Sequence, residues 1–91
     1  MAAEPAWSPS RATALILSGE AQLLLGDRDR AMAFFVETAA AGTVTGSYDT
    51  VVHSNAELAV LAMDSGRWAA AEEHLQVAVG LVEQRRLTTT P

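Results

Sequence analysis

The chain has 91 residues, of which 49% are hydrophobic and 19% charged, and it contains no cysteine. All its cationic residues other than histidine are Arg, and the formal net charge of −5 at pH 7 argues against nucleic-acid binding, which needs clustered positive charge. These values predict one small domain without disulfides, zinc–thiolate sites or lysine-dependent chemistry.

The hydropathy pattern contains no membrane or secretion signal. No uninterrupted apolar run approaches the roughly 18 residues of a membrane span, and the start at Met1 lacks the basic flank of a signal peptide. We therefore expect a cytoplasmic protein without membrane contact. Abundant Ala and few aromatic residues favour packed helices over a sheet, so the predicted class is all-α.

The first two helices have clear boundaries in the sequence. Ser8 can cap the first helix, and Pro9 suits its first position. The helix is expected to end near Leu25, because Gly26 favours the left-handed conformation that follows helices. Asp27 can then cap a second helix, which is predicted to end near residue 41.

A loop is predicted over 42–46, where two glycines flank β-branched residues. The third helix then begins near Ser47 or Asp49. Ser54 and Glu57 form a capping box that offers an alternative start. The sequence therefore leaves the beginning of the third helix open.

Another glycine turn, at Ser65-Gly66, separates the third helix from a fourth that begins at residue 67 or 68 and ends near Arg86. Short turns force neighbouring helices to be antiparallel, which predicts two helical hairpins. The resulting division is a lead at 1–8, a helical domain at 9–87 with hairpins at about 9–41 and 47–87, and a tail at 88–91.

The two halves resemble each other after a shift of forty residues. The coinciding pairs are a turn glycine, a small residue and a large apolar residue: Gly26 and Gly66, Ala31 and Ala71, Phe35 and Leu75. A small residue lets two helices approach closely, and a large one fills the space beside a neighbouring hairpin. The pattern is therefore typical of a helical repeat.

These residues resemble the tetratricopeptide repeat. Leu58-Ala59 stands where the family has Leu-Gly or Leu-Ala, and the turn with Trp68 matches its Gly-Asp-Tyr. The family's Ala, aromatic and Ala positions are matched by Ala71, Leu75 and Ala78. The first half departs from the family at Gln22 and Thr38, the closing Pro is missing, and the period exceeds the standard of about 34 residues.

Longer repeats of this kind are similar to those in the helical sensor region of LuxR-type transcriptional regulators. The string from Leu23 to Ala31 and the segments 66–72 and 82–87 carry this resemblance. It implies a non-catalytic, cofactor-free segment that contacts proteins. In that family the region joins an NTPase module to a DNA-binding helix-turn-helix, and the segment itself would contact neither nucleotide nor DNA.

Enzymatic chemistry has little support in the sequence. His53 and Glu57 could chelate a metal from one helix face, but further ligands would have to come from elsewhere. An exposed helical ion pair is the simpler interpretation. Glu72 and Glu73 point about 100° apart on a helix and cannot share a substrate. We expect no catalytic residue and no metal site.

The apolar residues exceed what two hairpins can bury. Those of the first helix nearly encircle its axis: Leu15, Ile16, Leu17, Ala21, Leu23, Leu24 and Leu25. On the fourth helix, the main apolar face consists of Leu75, Ala78, Val79 and Val82, and Val77 and Leu81 lie off this face. Because repeat units bury their faces against neighbours, the chain should need further repeats or a second copy.

The ending at Thr-Thr-Thr-Pro favours a segment of a longer array. A four-helix bundle that buries every apolar residue is the alternative interpretation.

A second hypothesis is a free-standing helical protein that homodimerises or binds a helical peptide in a groove. In a tetratricopeptide array, the first helix of each hairpin lines the concave surface. Polar residues on those helices are then the candidate contacts: Arg11, Gln22 and Asn55.

Overall fold

Three short turns connect the four helices of the computed structural model, which describes residues 9–89 and the side chains of residues 11–87. The helices are α1 (Pro9–Leu24), α2 (Arg28–Thr45), α3 (Tyr48–Asp64) and α4 (Trp68–Thr89), and no strand occurs within this range. The predicted all-α class is confirmed. The predicted lead at 1–8, with the cap at Ser8, lies outside the described residues.

The three turns are built alike. Gly26, Gly46 and Gly66 all have positive φ angles, of 82°, 71° and 74°. In each turn the glycine N–H and the following N–H donate to carbonyls of the last helical turn, as when Asp27 N donates to Gln22 O at 2.8 Å. This is the Schellman arrangement. Because the glycines are twenty residues apart, the structural period is half of the forty-residue period in the sequence.

The helix starts differ in their caps. The Asp27 carboxylate accepts the backbone N–H of Arg30 at 3.1 Å, which confirms the predicted cap of α2. Ser47 precedes α3, but its hydroxyl donates to the Thr50 hydroxyl at 2.8 Å instead of capping the backbone. The alternative start of the third helix at Ser54 is wrong, since Ser54 is buried within α3.

The loop predicted over 42–46 is also wrong, because α2 continues to Thr45. The hydroxyls of Thr43 and Thr45 each donate to a carbonyl one turn earlier, both at 2.9 Å, so these residues are satisfied within the helix. Gly42 is buried where α3 passes close by. A Cβ at this position would lie 3.0 Å from Val51 Cγ2.

The fourth helix is longer than predicted. It continues past Arg86 through Thr89, so the predicted tail at 88–91 is wrong for residues 88 and 89, whereas 90 and 91 lie outside the described residues. The segment from 84 to 87 contains good helix formers, and no Gly or Pro interrupts it. The helix therefore has no local signal to stop near residue 86.

The four helices form a flat row in which each packs against the next along the chain. The extents of the Cα trace are 42 × 39 × 17 Å. One cluster of the core consists of Ala31, Phe35, Leu58 and Leu61, with Ile16, Leu23 and Met32 packed against it. The alternative of a bundle that buries every apolar residue is excluded, because large apolar side chains remain exposed on all four helices.

Candidate interaction surfaces

The three polar residues that are predicted to contact a partner differ in their exposure. Arg11 is exposed at the start of α1, and Gln22 is half-buried near its end. Asn55 is only 7% exposed. Its Nδ2 donates to Val51 O at 2.9 Å, and its Oδ1 accepts from His74 Nδ1 at 3.1 Å. The expectation of an exposed contact is wrong for Asn55, because α4 covers it and supplies its hydrogen-bond partner.

The residues that define the repeat pattern divide into two groups. Ala31, Phe35, Ala71 and Ala78 are buried, as close helix packing requires. Trp68 and Leu75, by contrast, are 67% and 41% exposed. The repeat pattern predicts that Leu75 fills the space beside a neighbouring hairpin. On α4 this side chain is instead partly exposed to solvent.

The first and last helices of the row each expose an apolar stripe at spacings of four and three residues. The α4 stripe consists of Leu75, Val79 and Val82, which are between 41% and 56% exposed. The α1 stripe consists of Leu17, Ala21 and Leu24, all exposed. Side chains four and then three residues apart share one helix face, so each stripe is continuous.

A groove of about 310 Å³ lies where the turn at Gly46 meets α4. Its lining is mostly apolar and comes from α2, α3, α4 and the turn between α2 and α3: Gly42, Thr43, Gly46, Ser47, Tyr48, Val51, Val77 and Leu81. The Arg85 guanidinium lies 4.5 Å from the centre of the Tyr48 ring, so a cation borders this apolar surface.

The sequence predicts a groove on the first and third helices, but none of Arg11, Gln22 and Asn55 lines this one. The available signal was Val77 and Leu81, which lie off the main apolar face of α4. The sequence does not identify their partners, because Gly42 and Thr43 belong to a segment whose composition predicts a loop.

A polar cluster joins α1 to α3. His53 Nε2 lies 3.5 Å from Glu20 Oε1 and 3.8 Å from Glu57 Oε1, and all three side chains are partly exposed. The pair of His53 and Glu57 follows from their helical spacing. Glu20 comes from α1, thirty-three residues earlier, and only the fold brings it to the other two.

Comparison with family models, with curated proteins and with solved structures gives no match for this chain. Over the part of the chain that the structure describes, no helix combines the length and the apolar character that crossing a bilayer requires.

Proposed function

We propose that this chain is a non-catalytic, tetratricopeptide-like segment whose function is protein–protein contact. Three equivalent turns at twenty-residue intervals and packing between consecutive helices support the proposal, because these features are typical of helical solenoids. By its resemblance to LuxR-type regulators, we place it in the helical sensor region of such a protein. It would then act in the cytoplasm and influence transcription without contacting DNA itself.

The observation that carries this proposal is the pair of exposed stripes on the outer helices. In a solenoid each unit buries its faces against its neighbours, so the terminal faces are the ones that need a partner. The α1 stripe and the α4 stripe lie on the first and last helices of the row. Neighbouring repeats would cover them in a longer array, and a second copy would cover them in a homodimer.

The groove favours a second candidate function, in which the chain acts alone and binds an apolar helical peptide. Grooves that accept amphipathic helices present an apolar floor with a polar border. Here Val51, Val77 and Leu81 supply apolar lining. The Arg85 guanidinium lies over the ring of Tyr48, which also lines the groove, and so places a cation at its border.

Light scattering after size exclusion tests the proposal on the full chain over a range of concentrations. We expect self-association that increases with concentration. Val79→Glu should reduce it, because a charge in the α4 stripe would be buried without a partner on association. Val60→Glu is the matched control, since Val60 is 48% exposed on α3, an inner helix of the row.

The variants separate the candidate functions. If the wild-type chain stays monomeric at every concentration, the proposal that the α1 and α4 stripes need a partner is contradicted. Loss of association in Val60→Glu as well as in Val79→Glu would remove the special role of the outer helices. Val77→Glu places the charge in the groove. If this variant alone prevents association, the groove rather than either stripe is the contact surface between copies, which contradicts the proposed role of the stripes.

A further inference from the structure

Glu20, His53 and Glu57 bring three metal-ligating side chains together from two helices. Their ligand atoms all lie within 4.8 Å of one another. In a tetrahedral site with bonds of about 2.1 Å, neighbouring ligand atoms are about 3.4 Å apart. The distances from His53 Nε2 to the two carboxylates, 3.5 and 3.8 Å, are close to this value. The two carboxylates lie within 4.8 Å of each other, so they would have to approach the tetrahedral spacing for all three side chains to bind one ion.

The ligand types and their charges restrict which ion would bind. With a neutral imidazole the cluster carries two negative charges, which one divalent cation balances. An imidazole together with carboxylates is a usual ligand set for zinc and related transition metals, whereas calcium and magnesium prefer oxygen ligands alone. The partial exposure of all three side chains leaves room for water to complete the coordination.

The cluster also has a defined place in the fold. Glu20 lies on α1, and His53 and Glu57 lie on α3, so the cluster spans two helices that are not consecutive. The main packing of the row joins each helix only to the next one along the chain. An ion bound here would instead link α1 directly to α3. Binding would therefore stabilise the folded chain.

We propose that Glu20, His53 and Glu57 form a binding site for a single divalent transition-metal ion of the zinc class. This site is independent of the contact function proposed above. It requires neither a neighbouring repeat nor a second copy.

The test is titration of the full-length, metal-free chain with Zn²⁺ by calorimetry, accompanied by thermal unfolding with and without Zn²⁺. We expect one ion per chain and a Tm that rises with the Zn²⁺ concentration and falls again on chelation. Loss of an outer-shell partner alone weakens metal binding by about 10- to 100-fold. Removal of a direct ligand in His53→Gln should therefore weaken it by at least the lower figure.

Two further variants test whether both helices contribute. Glu20→Gln and Glu57→Gln should each weaken Zn²⁺ binding, because each removes one carboxylate ligand. Glu73→Gln is the matched control. It removes the same charge from an exposed position on α4 and should leave the affinity unchanged. Circular dichroism of each variant establishes that the helices are intact before binding is compared.

Several outcomes would overturn the proposal. Full affinity in Glu20→Gln would reduce the site to an ordinary pair on α3. Full affinity in His53→Gln would assign the binding to other groups, such as His74. Absence of binding, or of any Tm shift, would leave the cluster as an ion-pair network only. Equal competition by Mg²⁺ or Ca²⁺ would exclude the zinc class.

Discussion

Two glycines in helices of this chain have opposite surroundings. A Cβ at Gly19 would lie 2.8 Å from Cζ of Phe35, a ring that is fully buried and cannot easily move. A Cβ at Gly80 would meet nothing within 4 Å. Gly19 thus lets the Phe35 ring pack directly on the backbone of α1, whereas Gly80 has no comparable packing role.

The same substitution should therefore change stability in opposite directions. Gly19→Ala overpacks the core, at a cost of about 1–3 kcal/mol that the higher helix propensity of Ala offsets by at most about 1 kcal/mol. Gly80→Ala gains that propensity alone and should raise the free energy of unfolding by up to about 1 kcal/mol. Urea denaturation of both variants measures the difference. Stabilisation by Gly19→Ala would show that α1 does not pack on Phe35 as described.

At the same scale, sequence reasoning succeeds where the determining contact is local. Ala31 lies five residues after a turn glycine, and its burial follows from the short turn that forces α1 and α2 together. The prediction that Asn55 is exposed is wrong because the environment of Asn55 depends on His74, nineteen residues later. No pattern on the third helix shows that a donor from the fourth covers this amide.

At the scale of helices and turns, type and approximate order were predictable, whereas the ends of α2 and α4 were not. The glycines at 42 and 46 look equivalent in the sequence, yet they have different roles. Gly42 is helical and allows close approach of α3, and Gly46 has the positive φ that ends α2. The sequence alone does not distinguish a packing glycine from a turn glycine. The sequence therefore predicts one loop that contains both.

Substitution of Gly46 tests the assignment of the turn. No atom would contact an added Cβ at this position. Gly46→Ala should therefore lower the free energy of unfolding only by the cost of the left-handed backbone, about 1–2 kcal/mol. Gly46→Asn should lose less, because Asn tolerates this conformation. Urea unfolding of the two variants side by side provides the measurement. If the Ala variant equals or exceeds the wild type in stability, residue 46 does not occupy a left-handed turn.

At the scale of the whole molecule, the repeat was visible in the sequence but with twice its structural period. The shift of forty residues aligns Gly26 with Gly66, and Gly46 lies midway between them. The cluster of Glu20 with His53 was hidden for a related reason. It depends on how α1 and α3 are arranged across the row, and no helical spacing within either helix contains that information.

The row also predicts how stability is distributed over the chain. Among the described residues, helices α2 and α3 each pack against a neighbour before and after them, whereas the main packing of α4 is against α3. Every residue from Val82 to Leu87 is exposed, so few buried contacts oppose local opening of this end. Amide hydrogen exchange at low protein concentration should therefore be faster beyond residue 82 than around Leu58, which is 2% exposed at the centre of α3.

Repeating the exchange measurement at high protein concentration connects this gradient to the proposed contact. If a second copy covers the α4 stripe, protection around Val79 and Val82 should rise with concentration, because opening must then break the interface as well. Protection around Leu58 should change less, since that part of the core is already buried in the single chain. Equal protection along all four helices at low concentration would instead indicate one cooperative unit and contradict the row as a source of graded stability.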